Sequence, residues 1–154
     1  LMGYFSNVIQ FVLMTVFFIG SSYSYSNADS YKCGYQKIYP YSYEFPYTKD
    51  HVLSWAPKEL HFSYVDDEFK LEHFQTFMNI QYPIERFDND IKIINNKKII
   101  FQIKKESLDS NGKKSYFVYE VLVFKESNKS SVELYPTGFA DMGKVSGSCL
   151  ISTD

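Results

Sequence analysis

Residues 91–104 read Ile-Lys-Ile-Ile-Asn-Asn-Lys-Lys-Ile-Ile-Phe-Gln-Ile-Lys, and this stretch decides the fold. Ile99, Phe101 and Ile103 alternate with other residues, so on a β-strand they form an apolar face opposite a mixed one. The Asn95-Asn96 pair suits a tight turn, because asparagine tolerates the left-handed backbone conformation that such turns need. The stretch therefore predicts an antiparallel hairpin with one strand on each side of this turn.

The next strand is predicted at residues 116–124, Tyr-Phe-Val-Tyr-Glu-Val-Leu-Val-Phe, which are apolar on both faces except for Glu120. A strand of this kind needs cover on both sides, as in the middle of a sheet or inside a sandwich. Residues 131–135 alternate again and end at Pro136. Because strands that are neighbours in sequence are usually neighbours in space, these segments predict a meander.

The whole chain predicts a mainly β fold: a single antiparallel-sheet domain closed as a small barrel or sandwich, with at most one helix, at 66–80. Four apolar residues in that segment fall at helical spacing: Leu71, Phe74, Phe77 and Met78. Four residues also alternate as on a strand: Phe74, Thr76, Met78 and Ile80. Helix and strand therefore both stay open for this segment.

Length and charge narrow the class of protein. The 154 residues suffice for one domain with its own core. The formal net charge of −2 gives no global attraction to nucleic acid, so we predict no nucleic-acid partner. Lysine doublets such as Lys104-Lys105 lie at or beside predicted turns, where lysines deter edge-to-edge pairing of sheets.

The N-terminus has the layout of an export signal. Residues 1–28 contain no charge, and residues 11–19 are apolar except for one threonine. A short apolar core followed by small residues is typical of a secretory signal peptide, and this core is shorter than the roughly 20 residues that span a bilayer. We predict a helical signal peptide over 1–28 and one extracytoplasmic β domain, periplasmic or secreted, over 29–154. An uncleaved N-terminal membrane anchor is the alternative, since the segment lacks an initial Lys or Arg.

Cys33 and Cys149 are the two cysteines of the chain. An even number of cysteines in an exported protein predicts a disulfide. Closing so long a loop would stabilise the fold by about 4–5 kcal/mol in the chain-entropy account. Two buried free thiols or a redox pair are the alternatives, but the sequence contains no Cys-x-x-Cys motif.

A row of aromatic residues gives the candidate binding site. Its tyrosines fall at alternate positions beside two prolines: Tyr39, Tyr41, Tyr43 and Tyr47. The prolines exclude a helix and disfavour a central strand, so we expect an extended segment with the rings on one side. Such rings could stack on sugars or grip a peptide, or they could cover the open end of the protein's own core.

No motif for catalysis is present. His51, His61 and His73 lack the spacing of a metal site, and no Gly-x-Ser-x-Gly elbow occurs, so we predict no catalytic residue, metal or cofactor. The best-supported function is a non-catalytic binding module for a glycan, a peptide or an apolar small molecule in a barrel mouth. The alternatives are an envelope-associated structural protein held at the membrane by an uncleaved N-terminus, and a small hydrolase that uses His61 or His73.

Overall fold

The computed structural model describes residues 29–39, 48–66, 68–108, 110–136 and 142–153. The predicted signal peptide at 1–28 lies outside these ranges, so its prediction stands on sequence alone. Within the described ranges, no helix has the length and apolar character of a membrane span.

Eight antiparallel strands form one sheet. In chain order they are β1 (Asp29–Tyr39), β2 (Pro57–Val65), β3 (Glu68–Thr76), β4 (Phe87–Ile94), β5 (Lys98–Leu108), β6 (Lys114–Phe124), β7 (Lys129–Pro136) and β8 (Gly143–Thr153). A helix, α1 (Lys49–Trp55), precedes β2, and a 3-10 turn (Ile84–Arg86) precedes β4. The strand order β3-β2-β1-β8-β7-β6-β5-β4 curls the sheet into a nearly closed barrel. The predicted fold class is therefore confirmed.

The sheet consists of two meanders joined edge to edge. β1 to β3 form one, β4 to β8 form the other, and the pairing of β1 with β8 unites them. The predicted hairpin is present as β4 and β5, and the side chain of Asn95 accepts backbone N–H hydrogen bonds from Lys97 and Lys98 at 2.8 and 2.9 Å. This side-chain contact explains why asparagine marks the turn.

The segment 66–80, left open between helix and strand, contains strand β3. Pairing with β2 makes this segment a strand, because it buries the side chains of Leu71, Phe74 and Thr76 in the core. The described helix lies instead at α1, which the sequence did not predict. Its N-cap is Thr48, whose hydroxyl accepts the backbone N–H of His51 at 3.2 Å.

The disulfide joins the two meanders at their junction. Cys33 and Cys149 face each other across β1 and β8, and their sulfur atoms are bonded at 2.00 Å. The predicted disulfide is confirmed, and such bonds persist in oxidising, extracytoplasmic compartments. Two residues away, Gly147 permits the close approach of the strands, because a Cβ there would lie 1.9 Å from the carbonyl oxygen of Gly34.

The two ends of the barrel differ in their connections. At one end, called the turn end, short turns at 66–67, 95–97 and 125–128 join the strands. At the other, called the loop end, the connections are 40–56, 77–86, 109–113 and 137–142, and they include α1 and the 3-10 turn. Because binding residues are found disproportionately on loops that a rigid scaffold positions, the loop end is the first place to look for a site.

The two outer strands, β3 and β4, leave a seam in the sheet. They are the end strands of the described order and do not hydrogen-bond to each other as neighbours. Aromatic rings fill this seam. The ring centroids of Phe69 and Phe101 are 4.4 Å apart near the turn end, and those of Phe74 and Phe87 are 4.9 Å apart near the loop end. Side-chain packing thus completes the barrel where backbone pairing stops.

Candidate functional site

A lysine lies inside the barrel at the loop end. On β5 the inward positions are Ile99, Phe101, Ile103 and then Lys105. The same strand alternation that buries Ile99, Phe101 and Ile103 directs the Lys105 side chain into the barrel. Lys105 is accordingly only 8% exposed. Lysine is rarely this buried without a partner of opposite charge.

Aromatic rings support the Lys105 ammonium group. Its Nζ lies 3.3 Å from the centroid of the Tyr82 ring and 5.7 Å from that of Phe117. The Tyr82 hydroxyl donates a hydrogen bond of 3.1 Å to the carbonyl of Ser54, and Trp55 packs on Phe117 with ring centroids 4.4 Å apart. Helix α1, the 77–86 connection and β6 thus position the rings, and the cation–π contacts partly replace the lost hydration.

The charge on Lys105 is not neutralised by the described part of the chain, which provides neither a hydrogen bond nor a salt bridge to its ammonium group. Burial, reinforced by the positive charge of Arg86, lowers the pKa of Lys105 to about 8. A buried charge without a partner costs free energy, and an anion beside it would remove that cost.

Lys105 lines an open concavity of about 560 Å³. The other lining residues include two acids, a cation, a hydroxyl and an apolar side chain: Glu85, Asp88, Arg86, Ser107 and Leu108. Glu106 also lines it, and its carboxylate pairs with Lys114 at 3.1 Å. Because the barrel interior behind Lys105 is filled by side chains, a ligand would lie at the mouth and meet Lys105 and Arg86 with its anionic group.

A second polar group at the loop end has no partner among the described residues. Tyr119 is fully buried, and its hydroxyl makes no hydrogen bond there. Its ring lies 5.0 Å from Phe74 and 6.5 Å from Phe87, and burial, with the field of Tyr82 as a smaller cause, raises its pKa. A buried hydroxyl without a partner costs roughly 1–3 kcal/mol, so this end is not optimised for stability alone.

The predicted tyrosine site is described at one position. Tyr39 ends β1 at the loop end and is 52% exposed. Tyr41, Tyr43 and Tyr47 lie outside the described residues, so their role in binding stays a prediction. The connection that contains them leaves β1 at the same end of the barrel as Lys105.

The three histidines lie in two separate places within the described ranges. His61 and His73 face each other across β2 and β3 with ring centroids 4.8 Å apart, and Nε2 of His73 lies 3.7 Å from Oε2 of Glu59. Burial, with His73 as the second cause, lowers the pKa of His61. In the part of the chain that the structure describes, no group of three or more metal-ligating side chains occurs.

His51 lies apart in α1, stacked on Trp55 at 5.6 Å. No histidine is among the lining residues of the loop-end concavity or of two others, of about 490 and 540 Å³, between described residues. The hydrolase alternative requires a histidine in a concavity beside a second polar group, and it stays a prediction.

Lys105 was missed by the sequence analysis, although its signal was present. The sequence places the Lys104-Lys105 doublet beside a turn, where lysines deter edge-to-edge pairing, whereas β5 continues to Leu108. Extending the Ile99, Phe101, Ile103 alternation by two residues reaches Lys105 and would have placed it inside.

Comparison of the chain with protein-family models, with curated proteins and with solved structures found no match.

Proposed function

We propose that this protein is an exported, non-catalytic binding module that takes a small organic anion at the loop end of its barrel. The observation behind this proposal is the buried ammonium of Lys105, which opens onto a concavity and has no acidic partner among the described residues. Arg86 supplies a second positive charge in the same concavity.

The energetics favour an anion over a neutral ligand. Hydrogen bonds between charged groups are shorter and roughly twice as strong as neutral ones. Lys105 has already lost most of its hydration in the folded protein, so binding an anion requires little further desolvation on the protein side. The rings of Tyr82 and Phe117 also hold the lysine in place, which lowers the entropic cost of binding.

The size of the concavity limits the ligand. Its volume of about 560 Å³ lies within the range of ordinary small-molecule sites. A compact acid fits this space, whereas a long lipid chain would require displacement of the packed core around Phe101 and Tyr119. The sequence predicted a glycan, a peptide or an apolar small molecule. The size and charge of the concavity instead support a small molecule that carries a carboxylate or a similar anion.

The test uses a panel of small aromatic and aliphatic carboxylates, such as phenylacetate, each measured against its own amide by ligand-observed NMR. We expect acids to bind the wild-type protein and the amides to bind at least ten-fold more weakly, because a charged hydrogen-bonding pair is worth roughly 1.5–3 kcal/mol. Lys105→Met should abolish this preference.

Lys104→Met is the matched control. Lys104 is next to Lys105 on β5 and faces the opposite side of the sheet, and its substitution removes the same charge. It should keep the preference for acids. The proposal fails if acids bind no better than amides across the panel, or if the two lysine variants lose binding equally.

The export part of the proposal is tested separately. It is supported by the disulfide and by the uncharged apolar segment at residues 11–19. Intact-mass measurement of the protein purified from its native compartment should show loss of the predicted signal peptide. Retention of that segment would favour the alternative of an envelope protein anchored by its N-terminus.

A further inference from the structure

A second concavity lies on the outer face of the barrel, away from the loop-end site. It has a volume of about 490 Å³ and is bordered by three lysines and three outward serines: Lys37, Lys129, Lys144, Ser131, Ser146 and Ser148. We call it the basic groove. No carboxylate is among its lining residues in the described part of the chain.

A β-bulge shapes the basic groove. The register of β1 against β8 shifts between Tyr35 and Lys37, so Gln36 is the extra residue. On a regular strand Gln36 and Lys37 would face opposite sides, but the bulge lets both line the groove. Gly147, next to Ser146 and Ser148 on β8, also lines the groove.

Three adjacent strands each provide one lysine, from β1, β8 and β7. Opposite Lys37 across β1 and β8 is Ser146, and opposite Lys129 across β7 and β8 is Ser148, so hydroxyl groups separate the charges. Glu133 faces Lys144 across the same pair, but its carboxylate accepts a hydrogen bond from the Tyr135 hydroxyl. Within the described residues these three lysines form no salt bridge.

We infer that the basic groove binds an acidic polysaccharide. Neighbouring strands lie about 4.8 Å apart and residues along a strand about 3.3 Å apart, so the backbone positions of the three lysines are roughly 8–14 Å from one another. That spread suits the repeated anionic groups of a glycan chain better than one small anion. The serine hydroxyls and the Gln36 amide can hydrogen-bond sugar hydroxyls, and the half-exposed Phe124 offers a ring face at the edge.

A polysaccharide is favoured over a nucleic acid. Single-stranded nucleic-acid sites normally combine a basic channel with several stacking aromatics, whereas Phe124 is the one aromatic residue among those lining the described groove. The disulfide also indicates an oxidising compartment, in which glycans are the usual polyanions at cell surfaces.

The experiment measures binding of dextran sulfate, uncharged dextran and a 15-residue oligodeoxythymidylate by biolayer interferometry at several salt concentrations. We expect dextran sulfate to bind best, with an affinity that falls as salt rises because the contacts are ionic. Uncharged dextran should not bind. The variant Lys37→Gln/Lys129→Gln/Lys144→Gln should weaken dextran sulfate binding about ten-fold or more, since each exposed lysine near an anionic surface contributes on the order of 1 kcal/mol.

The control variant Lys58→Gln/Lys70→Gln/Lys104→Gln removes the same number of charges from strands outside the groove. It should retain at least a third of the wild-type affinity.

A variant with arginine at the three groove positions should bind dextran sulfate as the wild type does, because a positive charge at those positions is sufficient. The inference is overturned if both glutamine variants weaken binding equally, or if the oligonucleotide binds as tightly as dextran sulfate. The lysines of this groove are distinct from Lys105, so either outcome leaves the loop-end proposal intact.

Discussion

Both ends of the barrel contain clusters of aromatic side chains, but the two clusters differ in the polar groups that they enclose. At the turn end Tyr31, Phe62, Phe69 and Phe101 form one cluster, with ring centroids 4.4–5.4 Å apart. Its one hydroxyl, on Tyr31, donates a hydrogen bond to Asp29 at 3.1 Å. At the loop end the rings surround the Lys105 charge and the Tyr119 hydroxyl, which has no hydrogen bond to any residue that the structure describes. The turn end is thus built for stability, whereas the loop end retains polar groups that a ligand could satisfy.

Truncating the turn-end cluster should have the largest effect. Phe101 is 0% exposed and contacts Phe62 and Phe69. Phe101→Ala should lower the free energy of unfolding by about 3–5 kcal/mol, because it removes buried apolar surface and leaves a cavity. Urea denaturation followed by circular dichroism measures this change.

Phe124→Ala is the control for this prediction. Phe124 is on the neighbouring strand β6 but is 46% exposed. The substitution should cost less than about 1 kcal/mol, since an exposed side chain leaves no cavity. Equal losses for the two variants would show that the turn-end cluster does not dominate the stability.

Much of the fold could be predicted from sequence because strand alternation is a local signal. It placed the β4–β5 hairpin and the strands that follow it, and the cysteine count predicted the disulfide. The segment 66–80 stayed ambiguous because its apolar residues fit both periods, and only pairing with β2 decides between them. Helix α1 has seven residues, too few for a helical period to be visible.

The candidate site was not predictable in the same way. Lys105, Tyr82, Phe117 and Arg86 come from β5, the 77–86 connection and β6, and barrel closure brings them together. No pattern within one segment reports such a contact. The tyrosine row was conspicuous in the sequence, but of its four candidates only Tyr39 lies among the described residues.

The second prediction concerns pH at the loop end. The pKa of Lys105 is about 8 in the folded protein and 10.5 in the unfolded chain. Between these values the unfolded chain binds more protons, so the free energy of unfolding should rise with pH in this window. We expect a gain of about 1 kcal/mol between pH 7.5 and 9.0, where unfolded tyrosines are still mostly protonated. Thermal or urea unfolding at each pH measures it.

Lys105→Met should remove this alkaline gain, because methionine cannot titrate. It should also raise the stability at pH 7 by about 1 kcal/mol, since a buried unpaired charge is replaced by an apolar side chain of similar length. Lys104→Met, on the outer face of the same strand, should keep the gain. A gain that persists in Lys105→Met would assign the pH dependence to another group.

The smallest expected effect on the free energy of unfolding comes from removing one tyrosine hydroxyl at each end of the barrel. Tyr119→Phe removes a buried hydroxyl that has no hydrogen bond among the described residues, so the free energy of unfolding should stay the same or rise by up to about 1 kcal/mol. Tyr31→Phe removes the hydrogen bond to Asp29, so it should lower that free energy by about 1 kcal/mol. Both variants keep the ring and its packing, so urea denaturation isolates the hydroxyl. If Tyr119→Phe proves the more destabilising of the two, the Tyr119 hydroxyl has a partner in solution and the contrast between the two ends is wrong.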